Sequence, residues 1–156
     1  MQTLMPLTSK KVDEVVRSVL DVTFQLDATE LRRSADLEPQ PLMVRANIAL
    51  NGDWKGQVVV YVSPELAKEM AAAMMHSDVA AMGKAESFDA VGEIANMIAG
   101  NLRPLLPGAR LVSTPKVTDE GLAPVLMQHP VELSYRLDGM RFYVAVEGAS
   151  ISSTPN

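Results

Sequence analysis

Apolar residues recur at helical spacing near the start of the chain. Over residues 10–24 they fall at positions i, i+3, i+4 and i+7, the spacing of a helix with one apolar face, and Ser9 stands in the N-cap position. The apolar positions are Val12, Val15, Val16, Val19 and Leu20. This pattern predicts a first helix.

Two more helices are predicted in the middle of the chain. The Ser-Pro-Glu sequence at 63–65 supplies a cap, a first-turn proline and a first-turn carboxylate, and it predicts a helix over residues 66–75. A third helix opens at Ser87 or just before it and ends near Leu102, because Pro104 and a following Pro-Gly pair do not continue a helix. The predicted helices thus fall in the first two thirds of the chain.

Alternating apolar and polar residues predict a β-hairpin between the first two helices. Residues 43–50 place Val44, Ala46 and Ile48 on one face, which we expect to point inward, with polar residues between them. The Asn-Gly pair that follows tolerates positive φ in a turn, and the valine-rich residues 57–62 return as the second strand.

The part of the chain after the third helix is strand-like. Further strands are predicted at residues 111–112, 124–127, 131–137 and 140–146. An Asp-Gly pair joins the last two and is typical of a hairpin turn. Residues 29–41 have no clean periodicity and are interpreted as a connection, and residues 149–156 as a disordered tail. The order of elements predicts an α+β fold, a single domain over residues 1–156 with helices packed on a mostly antiparallel β-sheet.

Composition narrows the class of protein. The 156 residues are 47% hydrophobic and 21% charged, the balance of a globular domain with its own core. A net charge of −5 disfavours nucleic acid as a partner, since phosphate contacts need clustered lysine and arginine. The chain has no cysteine, which excludes disulfides, thiolate nucleophiles and cysteine-bound zinc. No apolar run approaches the roughly 18 residues of a membrane span, and no signal-peptide pattern is found, so a cytoplasmic protein is expected.

The third helix combines an apolar face with a narrow polar stripe. At about 100° per residue, Asp89, Glu93, Asn96 and Gly100 cluster within about 60° of one another on the side away from the core. The opposite side collects the apolar residues Phe88, Val91, Ile94, Ala95, Ile98 and Leu102. Gly92 and Gly100 each cost about 0.5–1 kcal/mol relative to alanine in a helix interior, so we expect another group to approach the helix backbone closely there.

An acid and a carboxamide one helical turn apart suit a particular chemistry. A carboxylate pairs with an ammonium group of a partner, and an amide can donate to and accept from a water molecule, which holds that water in line with an electrophile. Hydrolysis of a phosphoryl group depends mostly on such positioning and on charge neutralisation. An exposed face bearing Asp, Glu and Asn is also what an ordinary surface helix presents, so spacing alone leaves both interpretations open.

The order of residues in the helix favours the first interpretation. Asp89-x-x-x-Glu93-x-x-Asn96, with a glycine directly before the glutamate and a Gly-Asn pair after the asparagine, resembles the signature helix of the CheX, CheC and FliY phosphatases of bacterial chemotaxis. The match runs over residues 87–117 and includes a proline after the helix, Pro115. The predicted order of helices and strands is similar over most of the chain.

The resemblance implies a role for each site residue. Glu93 matches the glutamate that contacts the active-site lysine of a phosphorylated receiver domain, and Asn96 matches the asparagine that orients the attacking water at the aspartyl phosphate. These two are the expected catalytic residues. The expected supporting residues are Asp89, Gly92, Gly100 and Pro115. The proline stands closer to Asn96 in the sequence than its counterpart does in CheC and FliY members.

The resemblance also implies the partners. The family places Mg²⁺ in the receiver domain, so no cofactor or metal of the chain's own is expected, and His76 and His129 stand too far apart in the sequence to suggest a metal pair. The expected partner is a phosphorylated CheY-like response regulator, with no nucleic acid and no membrane. A chain with one signature helix resembles CheX, which works as a homodimer, more than CheC or FliY, which carry two copies, so a homodimer is expected.

Two functions from different classes remain open from the sequence. The first is a phosphatase that removes the aspartyl phosphate of a CheY-like response regulator in chemotaxis signalling. The second is a CheX-like adaptor or regulatory dimer that binds a receiver domain or a flagellar component without catalysis. The presence of both Glu93 and Asn96 favours the phosphatase, because an inactive copy would be free to lose either residue.

Overall fold

Three helices and seven strands make up the described part of the chain. A computed structural model describes residues 7–24, 32–33, 40–106, 108–111, 114–122, 131–137 and 140–150. The helices are α1 (Ser9–Phe24), α2 (Pro64–Met75) and α3 (Lys84–Leu102), with short 3₁₀ turns at Val79–Ala81 and Arg103–Leu105. The strands are β1 (Arg32–Arg33), β2 (Gln40–Gly52), β3 (Trp54–Val62), β4 (Ala109–Leu111), β5 (Lys116–Leu122), β6 (Val131–Leu137) and β7 (Met140–Ser150).

The described strands form one sheet in which all neighbours are antiparallel. The order is β1-β6-β7-β3-β2, and both β4 and β5 pair with the far side of β2. In the β2/β3 hairpin, Val44 lies opposite Val62 and Ile48 opposite Val58, so the residues predicted to point inward share one face of the sheet. The fold is α+β, a single domain with helices on a mostly antiparallel sheet, as the sequence predicts.

The main core fills the space between the helices and this face of the sheet. Its large, fully buried side chains come from every layer: Leu20, Ile48, Leu66, Met70, Ile94 and Ile98. Each such side chain stabilises the fold by about 1.5–3 kcal/mol when it leaves water. A smaller buried cluster lies on the other face of the sheet and contains Met43, Val59, Tyr61, Tyr143 and Ala145. The helices, α3 among them, are therefore anchored to one side of the sheet.

The start of α1 differs by one residue from its prediction. The Thr8 hydroxyl oxygen accepts a hydrogen bond from the backbone N–H of Lys11 at 3.2 Å, which makes Thr8 the N-cap and Ser9 the first helical residue. For α2 the prediction is confirmed, since Ser63 is the N-cap and Pro64 opens the first turn.

The strands at the two edges of the sheet differ most from the prediction. The sequence pattern does not predict β5, and the strand predicted at 111–112 is found as β4, which ends at Leu111. Within the predicted connection, β1 pairs with β6, and β2 already begins at Gln40. Toward the C-terminus of the chain, β7 runs to Ser150, two residues into the predicted tail. The predictions for 29–31, 34–39, 107, 112, 124–127, 138–139 and 151–156 lie outside the described residues.

Candidate functional site

Helix α3 is held in place by its apolar side. It is continuous from Lys84 to Leu102 and packs against α1, α2, β2, β3 and β5. Its buried residues include Ala90, Val91, Ile94, Ala95, Ile98 and Ala99. At its start the Glu86 carboxylate accepts a hydrogen bond from the backbone N–H of Gly83 at 3.2 Å, which satisfies a donor that the helix cannot use. The predicted continuous helix is confirmed, and its remaining side is presented outward.

The predicted polar stripe lies on that outward side. Asp89 and Glu93 are exposed, and Asn96 is half-buried. Residues three and four apart on a helix have Cβ atoms about 5–6 Å apart, so Glu93 is a direct neighbour of both Asp89 and Asn96. Within the described ranges, none of these three side chains has a hydrogen-bond or ion-pair partner. Two carboxylates and one carboxamide are therefore available to an incoming molecule.

An open depression runs along this stripe. Its volume is about 230 Å³, and it lies between α3 and the strand region that begins at Pro115. The lining residues are Phe88, Asp89, Gly92, Glu93, Asn96, Pro115 and Val117. The structure thus brings five of the six predicted site residues together around one depression, and Gly100 lies apart from it.

Gly92 lies where α3 closely approaches Pro115 and strand β5. A Cβ atom built on it would lie 3.2 Å from Cγ2 of Val117 and 3.6 Å from Cβ of Pro115. The expected close approach to the helix backbone is therefore confirmed at this glycine. At Gly100 an added Cβ would meet no atom of the described residues within 4 Å, so the expectation stays a prediction at that position.

Two lining residues were not among the predicted site residues. The helical pattern assigns Phe88 to the apolar face, and its ring does pack against the core, but it is only half-buried and also lines the depression. Its position at the border of the apolar sector, next to Gly92 on the helix surface, was the available signal. Val117 lies in β5, a strand that the sequence pattern does not predict, so no local signal pointed to it.

Charged and polar neighbours fix the edges of the site. The Lys84 ammonium group lies 2.9 Å from an Asp119 carboxylate oxygen, which links the start of α3 to β5, and 5.2 Å from the centre of the Phe88 ring. At the other end of the helix, the Asn101 amide donates to the backbone carbonyl of Met97 at 2.7 Å. The two asparagines of α3 thus differ, since Asn101 is bonded to its own helix and Asn96 borders the depression.

Metal sites and membrane spans were considered separately. Across the described ranges, no three His, Asp or Glu side chains lie close enough to hold a metal ion. His76 is exposed at the end of α2, and His129 lies outside the described residues. No helix in the described part of the chain is long and apolar enough to span a membrane.

A comparison with family models shows which family the chain belongs to. The model described as chemotaxis phosphatase CheX matches residues 44–132, more than half of the chain, and the matched part contains the whole of α3 and β5. The chain belongs to the CheX family. The sequence resemblance is thereby confirmed at the level of the family.

Solved structures with the same fold include CheX and FliY proteins. A CheX from Vibrio vulnificus aligns over 96% of this chain and 100% of its own, with a TM-score of 0.72 and 17% identity. A CheX from Borrelia burgdorferi, solved in complex with CheY, BeF₃ and Mg²⁺, aligns over 92% of this chain and 99% of its own, with a TM-score of 0.55 and 17% identity. FliY from Thermotoga maritima aligns over 94% of each chain, with a TM-score of 0.59 and 18% identity. No curated protein matches the chain.

Proposed function

We propose that this CheX-family protein is a phosphatase that removes the aspartyl phosphate from a CheY-like response regulator in chemotaxis signalling. The observation that carries the proposal is the placement of Glu93 and Asn96 side by side along one open depression on α3. The family match supports the activity, and the relative solved with CheY supports the class of partner.

The proposed reaction is hydrolysis of an acyl phosphate. The Asn96 carboxamide holds a water molecule by donating to it and accepting from it, so that the water oxygen is in line with the P–O bond that breaks. The oxygen attacks phosphorus, and the electron pair of the broken bond stays on the partner's aspartate carboxylate. An aspartyl phosphate dianion and one water thus give a carboxylate and H₂PO₄⁻. A Mg²⁺ ion held by the partner would neutralise charge on the transferred group.

In this proposal Glu93 positions the partner. Its exposed carboxylate pairs with the ammonium group of the receiver's active-site lysine, which fixes the distance between Asn96 and the phosphoryl group. Asp89, one turn earlier, adds a second negative charge beside Glu93 and has a supporting role. Gly92 supports the site by letting α3 and β5 approach each other, which brings Pro115 to the edge of the depression.

The test is the lifetime of a phosphorylated receiver. CheY-type receivers of the source organism are phosphorylated with a small-molecule donor in Mg²⁺, and the decay of the aspartyl phosphate is followed with and without the protein. Wild-type protein should shorten the lifetime of at least one receiver, and Asn96→Ala should lower the catalysed rate by roughly 100-fold, since a mispositioned water loses the advantage of alignment. Asn101→Ala is the matched control, because its amide is bonded to its own helix.

The adaptor is the competing function, and the same experiment separates the two. If wild-type protein binds a receiver tightly but leaves every phosphorylated receiver with its intrinsic lifetime, the phosphatase proposal is wrong and the adaptor function replaces it. We also propose that the protein acts in the cytoplasm as a homodimer, and sedimentation velocity at micromolar concentration tests the dimer.

A further inference from the structure

A second, mostly apolar groove adjoins the depression described above. Its volume is about 250 Å³, and it lies where α2, the start of α3 and strand β2 meet. We call it the apolar groove, and its apolar wall is formed by Leu42, Val44, Pro64 and Phe88. Phe88 lines both this groove and the depression, so the two form a continuous surface.

Two features of the apolar groove are unfavourable in the isolated chain. Leu42 is 53% exposed, although apolar side chains of this size are more stable out of water. Ser87 also lines the groove and is 5% exposed, and its hydroxyl oxygen has no hydrogen-bond partner among the described residues. That oxygen is closed off from solvent, so an occupant of the groove would act on Leu42 alone, by removing its apolar side chain from water.

The size of the groove limits the occupant. Pockets for small molecules usually enclose about 300–1,000 Å³ and bury most of their ligand. The apolar groove is smaller and open, a shape that fits one side chain of a protein partner. Such anchor pockets, each filled by one apolar residue, supply much of the energy of many protein interfaces.

The charges at its rim favour an acidic partner. Lys68, Lys84 and Asp119 all line the groove, and Lys84 pairs with Asp119, so the exposed Lys68 supplies the remaining positive charge among these lining residues. A protein surface that holds Mg²⁺ beside a phosphoryl group is built from carboxylates, because this ion prefers oxygen ligands. The rim therefore complements the surface that surrounds the phosphorylated aspartate of the proposed substrate.

We propose that the apolar groove is the anchor site for an apolar side chain of the phosphorylated receiver, and that it determines which receiver is bound. The inference rests on the proposed function for the identity of the partner. Along α3, Phe88, which lines the groove, and Asn96 are about 12 Å apart at 1.5 Å per residue. One partner footprint of about 800 Å², roughly 30 Å across, covers both. A receiver whose phosphoryl group meets Asn96 is thus in reach of the groove.

The test compares two leucines. Leu42→Glu places a charge at the groove, and Leu105→Glu makes the same change at another exposed leucine, in the 3₁₀ turn beyond the far end of α3. For each variant, KM and kcat are measured with the phosphorylated receiver that the wild type dephosphorylates fastest. The dissociation constant is measured with that receiver loaded with BeF₃⁻ and Mg²⁺. Thermal unfolding of each variant checks that the fold is intact.

Leu42→Glu should raise KM and the dissociation constant at least tenfold and leave kcat within about twofold of wild type. Leu105→Glu should match wild type. An occupant other than the receiver, such as water alone, predicts wild-type values for Leu42→Glu, and that result overturns the anchor site.

The outcomes also separate this inference from the phosphatase proposal. If wild type is active and Leu42→Glu keeps the wild-type KM, the anchor site is wrong and the phosphatase proposal stands. If no receiver is dephosphorylated but Leu42→Glu still weakens binding of the BeF₃⁻-loaded receiver, the phosphatase proposal is wrong and the anchor site stands.

Discussion

Gly92 of α3 and Val117 of β5 lie so close together that a single methyl group on Gly92 would come within 3.2 Å of the valine Cγ2 atom. The approach places β5 beside the polar stripe of α3, and the residues of both elements then line one depression. The helix accepts the conformational cost of a glycine at this position, about 0.5–1 kcal/mol relative to alanine, because a larger residue would push the two elements apart. The shape of the depression is therefore sensitive to one added carbon atom at Gly92.

Gly92→Ala is expected to lower activity more than stability. The methyl group fills part of the depression and displaces Val117 or Pro115 by a few tenths of an ångström, while the gain in helix propensity offsets the strain in the folded state. We expect kcat/KM to fall at least tenfold and the free energy of unfolding to change by less than about 1 kcal/mol. Steady-state kinetics and urea unfolding measure the two. The double variant Gly92→Ala, Val117→Ala restores the space, so failure to recover any activity would contradict this account.

Gly100→Ala is expected to change stability more than activity. An added Cβ there meets no described residue, so the fold gains helix propensity without strain, and the free energy of unfolding should rise by about 0.5–1 kcal/mol. Thermal unfolding measures this gain. A variant that is more stable but binds the receiver more weakly would indicate that the partner approaches the helix backbone at this position. A loss of stability would contradict the open space around Gly100 and would mean that an added methyl group meets another part of the protein.

Most of the site could be predicted because it lies on one helix. Periodicity alone separates the buried side of α3 from the side that carries Asp89, Glu93 and Asn96, and the structure places both sides as expected. Strand β2 could be predicted in the same way, since its inward residues alternate with Arg45 and Asn47, and β3 was marked by its run of valines. In both cases the signal is local in the sequence.

The missed part of the site depends on contacts that are distant in the sequence. β5 has the sequence KVTDEGL, in which Val117 is followed two residues later by Asp119, so no apolar alternation marks it as a strand. It forms because β2 supplies a partner for its backbone hydrogen bonds, an effect of tertiary structure that no short window contains. The contribution of Val117 to the depression followed from this pairing, as did the position of Pro115 beside Gly92.

Ile98→Ala tests whether the site depends on the packing of α3 against the core. Ile98 is fully buried on the side of the helix opposite the depression, and its truncation leaves a cavity between the helix and the sheet. The free energy of unfolding should fall by about 2–5 kcal/mol, as measured by urea unfolding. At a temperature where the variant remains folded, its KM for the receiver should stay near the wild-type value, because no group that touches the partner has changed. A tenfold rise in KM for folded protein would mean that the loss of the Ile98 side chain shifts α3 and the site residues on it.

Charge reversal at Glu93 tests the proposed contact with the partner's lysine. Glu93→Lys replaces an attractive pair by two like charges, whereas Glu69→Lys makes the same change in net charge at an exposed position of α2. We expect the first variant to raise the dissociation constant for the BeF₃⁻-loaded receiver at least 30-fold and the second to change it less than threefold. Glu93→Gln should weaken binding less and should also reduce its dependence on ionic strength, since the lost interaction is a charge pair that salt screens. Equal effects of Glu93→Lys and Glu69→Lys would mean that only net charge matters, and the specific pairing of Glu93 would have to be abandoned.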